Sequence, residues 1–141
     1  MKVAYVMLVL VVILGLLGRA AAFADPRRDA ILADLLAQAQ QAEPGFAGFS
    51  AERGAALYQA AHTGGKQGTG SCTACHGTSP QDTGQTRAGK AIEPMAVSKN
   101  PARYTDKANV EKWFTRNCQD VLGRACSARE KGDFLTYMLG Q

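Results

Sequence analysis

The chain has 141 residues, 46% of them hydrophobic and 20% charged, with a formal charge of +4. That length holds one domain. Apart from Arg27-Arg28, its lysines and arginines stand singly, without the dense basic stripe of a phosphate-binding surface, which argues against nucleic acid as a partner.

The chain opens MKVAYVMLVLVVILGLLGRAAAFADP, with a lone Lys2, an apolar run from Val3 to Leu17 and a small-residue stretch ending Ala22-Phe23-Ala24. This is the pattern of a secretory signal peptide, residues 1–24, cleaved before Asp25. An uncleaved anchor is the alternative, but the apolar run falls short of the ~20 residues that a spanning helix needs. Cleavage takes Lys2 and Arg19 away, which lowers the formal charge from +4 to +2, and no second apolar stretch of spanning length follows. The mature domain, residues 25–141, is therefore expected in the periplasm without a stable membrane span. In that oxidising space disulfides persist, so the four cysteines need not all be thiols.

Asp25-Pro26 signals a helix start, and Ile31, Leu32, Leu35, Leu36 and Ala39 recur at helical spacing. They predict an extra N-terminal helix over about 26–42, on the outside of the domain and ending before Pro44-Gly45. Ser50 is a good N-cap, and a second helix runs to His62 with Leu57 and Tyr58 inward before Gly64-Gly65 stops it. Residues 63–71 and 77–103 read as irregular loops. A helix resumes at Thr105-Asp106 with Val110, Trp113 and Phe114 on one face. Ser127 with Glu130 makes a capping box, opening a last helix whose inward side is Phe134, Leu135, Tyr137 and Met138. Four helical segments and no convincing strand give an all-α fold with long loops. A loop as long as 77–103 needs something to pack against, and a chain this size cannot hold so much irregular backbone with its own apolar side chains. It needs an internal filler.

Cys72-Thr73-Ala74-Cys75-His76 names the filler. C-x-x-C-H is the attachment pattern for haem c: two thiols add to two vinyl groups of one haem, and the next residue's imidazole binds the iron. Cys72 and Cys75 are then thioether anchors of a single covalent haem, with His76 the permanent ligand. A thioredoxin-like dithiol would want a strand-to-helix setting, and a zinc site would want a second close ligand pair; Cys118 and Cys126, with seven residues between them, are too widely spaced. His62, the other histidine, reads as a residue at a helix C-terminus. The order of elements resembles a class I cytochrome c, in which a glycine and an aromatic four residues later on an early helix cross the last helix. Gly54 and Tyr58 fit that role, with Phe134 and Tyr137 as partners.

The other side of the iron has several candidates. Met138 reads as a gap-filler in the last helix. Met95, in Glu93-Pro94-Met95, resembles the loop methionine of a plain electron carrier but comes only 19 residues after His76. Asn117 comes 41 residues after it, at the end of the Thr105 helix. An amide oxygen is a weak, hard ligand that holds ferric iron and lets go of the softer ferrous iron. A bridge from Cys118 to Cys126 would pin the backbone beside it. From the residues alone, Asn117 is as well read as a helix C-cap beside a loop-steadying disulfide. Trp113 and Tyr104 have polar tips within reach of a haem propionate, with core packing as the plainer reading. Arg87, Lys90 and Lys112 stand as solvated surface charge, with guidance of a redox partner as the alternative.

The stretches TGGK (63–66), SCTACHG (71–77), GQTRAGK (84–90), RYTD (103–106), VEKW (110–113), RNC (116–118) and GRAC (123–126) resemble the sphaeroides haem protein family of oxygen-binding class I cytochromes c. The resemblance implies histidine and asparagine axial ligands, His76 and Asn117, and a disulfide between Cys118 and Cys126. It implies that the asparagine leaves on reduction, when a diatomic ligand such as oxygen or nitric oxide binds, and that a partner cytochrome supplies the electron. The expectation is an exported monohaem cytochrome c of this kind. The alternatives are a plain electron carrier with Met95 on the iron, and an enzyme that reduces its bound oxygen or nitrogen-oxide species.

Overall fold

A computed structural model describes residues 24–141, so that the expected signal peptide, apart from Ala24, lies outside the described residues. Five helices and one small hairpin appear among them: α1 (Pro26–Ala42), α2 (Ala51–Gln59), α3 (Thr73–His76), β1 (Gly84–Gln85), β2 (Ala91–Ile92), α4 (Lys107–Leu122) and α5 (Ala128–Leu139). The fold is all-α in character, as its residues indicate, with two corrections. The attachment motif is itself a short helix. The 77–103 loop carries an antiparallel pair, Gly84 opposite Ile92 and Gln85 opposite Ala91, which the sequence reading did not foresee. Strands of two residues are too short to leave a period in the sequence.

Each long helix is started by a side chain. Asp25 accepts from the Arg27 amide at α1, Ser50 from Arg53 at α2 and Asp106 from Asn109 at α4, and Ser127 and Glu130 complete their reciprocal capping box at α5. These side chains satisfy amides that have no partner inside the helix.

The frame is the crossing of α2 over α5. A methyl group at Gly54 would lie 2.1 Å from the Asp133 carbonyl oxygen, so only glycine lets the two backbones approach so closely. The Tyr58 ring packs beside Tyr137 and Phe134, with centroids 5.9 and 6.3 Å away. The buried Asp133 carboxylate closes the crossing, accepting from the Ser50 amide at 2.7 Å and from both Nε and Nη2 of Arg53 at 2.7 Å.

Helix α1 is no outer appendage, contrary to the sequence reading. Ile31 and Leu35 enter one core with Tyr58, Met95, Val110, Phe134, Leu135 and Met138. Arg28 is 1% exposed, and its guanidinium donates to the carbonyl oxygens of Pro101 and Arg103. The long loop is tied down as well: Met95 and Ala96 amides both donate to the Pro80 carbonyl, and Val97 donates to that of Met138. Among the described residues no helix is long and apolar enough to cross a membrane.

Two helix ends also differ from expectation. Helix α2 stops at Gln59, short of His62, because Ala60 turns to extended backbone. Helix α4 continues through Asn117 to Leu122 and is capped by Gly123 at φ 71°. Asn117 is therefore an interior helical residue and not a C-cap; the left-handed turn that ends a helix falls on the glycine.

Candidate haem site

Helix α3 carries Cys72, Cys75 and His76 on a single turn. The chain makes that turn because Cys75 and His76 amides both donate to the Cys72 carbonyl, and Gly77 at φ 74° ends it at once. From α2, the fully buried Tyr58 hydroxyl donates to the Gly77 carbonyl at 2.7 Å and lies 3.3 Å from that of His76. From the other side, Gly84 presses on the turn so closely that a methyl there would sit 2.3 Å from the Cys75 carbonyl oxygen. The sequence reading missed both contacts. Tyr58 was marked for its ring, and its hydroxyl partner lies in a different element.

The donor chemistry of α3 fits covalent haem c. Cys72 and Cys75 are free thiols, and burial pushes the Cys72 thiol up to about 11, so it is neutral. Burial, with Arg103 nearby, lowers the His76 pKa, so the imidazole is neutral, the form that binds iron. Its Nδ1 is buried without a hydrogen-bond partner. A buried polar atom left alone belongs to a group held for some further purpose. Among the described residues no three His, Cys, Asp or Glu side chains gather to hold a metal ion, so the pattern of a zinc site is missing.

Asn117 lies on α4. Val110, Phe114, Asn117 and Val121 follow one another on one face of the helix. Val110 is buried, and Phe114 meets Phe134 edge-on at 5.5 Å. Asn117, further along that face, is exposed. The next residue, Cys118, is 5% exposed and disulfide-bonded to Cys126, with 5.6 Å between Cα atoms.

What joins the two regions is the loop before α3. The Thr69 hydroxyl, three residues before Cys72, lies 2.7 Å from the carbonyl oxygen of Asp120, three residues after Asn117. The end of the helix bearing Asn117 is thus tied to the loop that leads into the turn bearing His76. The sequence reading took Gly64-Gly65 as a helix stop and TGGK as part of the family resemblance, and missed this bond. Its signal was there in the paired glycines, Gly64 and Gly65, each pressed against the end of α4.

The remaining candidates fall elsewhere. Met95 is 8% exposed and packed in the core, its amide held by Pro80 and its carbonyl by the Tyr104 hydroxyl at 2.9 Å. Met138 is fully buried. His62 turns Nε2 to the Leu57 carbonyl at 3.1 Å. Tyr104 packs edge-on against Phe134, but Trp113 is 45% exposed with Lys112 and Arg116 over its ring, so core packing does not describe it. Arg87, read as solvated, is exposed but donates to the Gln67 carbonyl at 3.2 Å.

The family model described as a domain of unknown function, DUF1924, matches residues 44–138. Cytochrome c-type protein SHP of Cereibacter sphaeroides is 53% identical over 91 residues, which span 64% of this chain and 70% of that protein. The structure of oxidised SHP, described as an oxygen-binding cytochrome c, matches with a TM-score of 0.75 at 46% identity, over 81% of this chain and 96% of that one. The solution structure of cytochrome c'' of Methylophilus methylotrophus, described as giving insights into haem-ligand detachment, matches with a TM-score of 0.70 at 30% identity, over 82% and 94%.

Proposed function

Because the chain belongs to the DUF1924 family and to that of the SHP cytochromes c, we propose that it is an exported, periplasmic monohaem cytochrome in which Asn117 is a redox-dependent ligand. Cys72 and Cys75 hold the haem by thioether bonds and His76 ligates its iron in both oxidation states. Bound there, the haem supplies a one-electron couple and a sixth coordination position. Asn117 offers that position a neutral carboxamide oxygen, which the harder ferric ion accepts and the softer ferrous ion releases. Reduction by a partner cytochrome then leaves the position to a small diatomic ligand, oxygen or nitric oxide.

One observation carries this reading: the Thr69 bond to Asp120 ties the end of the Asn117 helix to the loop that enters the attachment turn. The relatives support it, since one is described as oxygen-binding and the other as giving insights into haem-ligand detachment. Met95 is the weaker sixth ligand, because its side chain packs into the core and its backbone is bonded at both ends.

The test is an absorption spectrum of the haem-loaded protein, oxidised, then reduced, then exposed to carbon monoxide, in native and Asn117→Ala forms. The native ferric spectrum should be six-coordinate and lack the near-infrared charge-transfer band of a sulfur ligand. Asn117→Ala should change the ferric spectrum while leaving the carbon monoxide form unaltered. A reduced protein that stays six-coordinate and ignores the gas would overturn the reading.

A further inference from the structure

The segment TGGKQGT, residues 63–69, closes over the last turn of α4. The Lys66 amide donates to the Asp120 carbonyl at 2.7 Å. The Thr69 hydroxyl lies 2.7 Å from that same carbonyl and 2.8 Å from that of Lys66, a bifurcated donor that also folds the loop on itself. The Lys66 ammonium pairs with the Asp120 carboxylate at 2.5 Å. Gly64 and Gly65 admit the contact: a methyl at Gly64 would fall 2.2 Å from the Leu122 carbonyl oxygen, and one at Gly65 would fall 2.1 Å from that of Asp120. A helix leaves its last four carbonyls without partners of its own. Here the Gly123 amide serves Gln119, and the loop serves Asp120.

The same turn is held from another side by the Cys118–Cys126 bridge. The clamped Asp120 carbonyl lies three positions after Asn117, less than one helical turn. A weak ligand needs such a frame. A carboxamide oxygen gains little on binding, so any backbone that had to be ordered at that moment would cost more than the bond returns.

We propose that residues 63–69 are a latch that presents Asn117, with Thr69 and Lys66 as positioning residues, so that ligand exchange is a swing of one side chain on a fixed helix. This rests on the reading of Asn117 as the ferric ligand. It assigns the loop a part in how tightly the ferric site holds that ligand, and therefore in the reduction potential.

The experiment compares holoproteins carrying Thr69→Val, Thr69→Ser, Lys66→Met and Asn117→Ala, by ferric absorption spectrum and redox titration. Thr69→Val should lower the ratio of asparagine-bound to unbound ferric protein about tenfold and raise the potential by about 59 mV, the one-electron value of a factor of ten. Thr69→Ser keeps the hydroxyl and should restore both. Lys66→Met, which removes only an exposed ammonium, should lower the ratio at least twofold, and it decides the matter if Thr69→Val fails to take up haem. Native spectra and potentials in the latch variants, with a changed spectrum in Asn117→Ala, would overturn the latch and leave the ligand reading standing. An unchanged spectrum in Asn117→Ala would overturn the ligand reading and the latch with it.

Discussion

The turn that carries His76 and the helix that carries Asn117 are built in opposite ways. Helix α3 and its N-cap hold the three side chains proposed for the haem, Cys72, Cys75 and His76, within five consecutive residues, and their own backbone sets the spacing. Helix α4 contributes one residue, whose place is set by an N-cap at Asp106, a disulfide to Cys126 and a carbonyl clamped from residues 66 and 69. On the proposed function, His76 is a ligand that never leaves and can be specified locally, because covalent attachment brings its partner to it. Asn117, proposed to leave and return, must find the same place each time, so its frame is drawn from distant parts of the chain.

The largest effect should separate the two at once. Cys72→Ser with Cys75→Ser should abolish covalent haem, read as complete loss of haem staining on a denaturing gel. Cys118→Ser with Cys126→Ser should leave that staining intact. Equal staining in the two double variants would refute the division between a local and a distributed site.

Gly54→Val comes next and strikes the frame that both regions share. Its side chain would collide with the Asp133 carbonyl and the Tyr137 Cβ, the latter 2.8 Å from the added methyl. The crossing must open, at about 3 kcal/mol, the upper part of the range for overpacking. Opening it also pulls Tyr58 off the end of α3. Urea unfolding should show the loss; a cost under about 1 kcal/mol would mean that the helices slide freely and the crossing does not position His76.

The contrast between regions also explains what the sequence disclosed. The roles proposed for Cys72, Cys75 and His76 could be read because haem attachment demands both residue type and spacing, and the Ser127–Glu130 box was legible because its two bonds lie within one turn. The Gly54–Tyr58 crossing was legible from a pattern of size and aromaticity. The fate of Asn117 was not, since the polar run around it looks like a helix end until Gly123 is seen to make the turn. Nor was the burial of α1. An apolar stripe tells that a helix packs, not where, and Arg28 becomes a core residue only because the Pro101 and Arg103 carbonyls, more than seventy positions away, receive it. The latch was hidden for a similar reason, as paired glycines punctuate a helix and admit a backbone contact with the same two letters.

Removal of the Cys118–Cys126 bridge alone should cost about 2.5 kcal/mol in the chain-entropy account of a short loop. The loss should appear in urea unfolding of the double serine variant. Because Lys66 and Thr69 still hold Asp120, α4 should remain helical through Asn117, and amide exchange should quicken from Cys118 onward before it quickens at Val110. Exchange that rises evenly along α4 would mean that the bridge and the loop do not act on the end of the helix.

The smallest effect concerns acid and falls on the distal frame only. Glu130, just beyond Cys126, is held at about 2 instead of the usual 4.5, first by hydrogen bonds from Arg124, then by the Ser127 amide, against the opposing effect of burial. Both Arg124 nitrogens reach it, at 2.7 and 2.8 Å. A carboxyl with a lowered folded-state pKa contributes its full stability above 4.5 and loses it as the pH falls through about 2. The Glu130 side chain is only 20% exposed, but its partner Arg124 is 56% exposed, so screening keeps the contribution at pH 7 below about 1 kcal/mol. Glu130→Gln retains an acceptor for the Ser127 amide but removes the charge facing Arg124. Urea unfolding between pH 5 and pH 2 should show a shallower loss in the variant than in the native chain. Parallel curves would mean that Arg124 holds Glu130 no more tightly than water does, and that the start of α5 adds nothing charge-dependent to the support of Cys126.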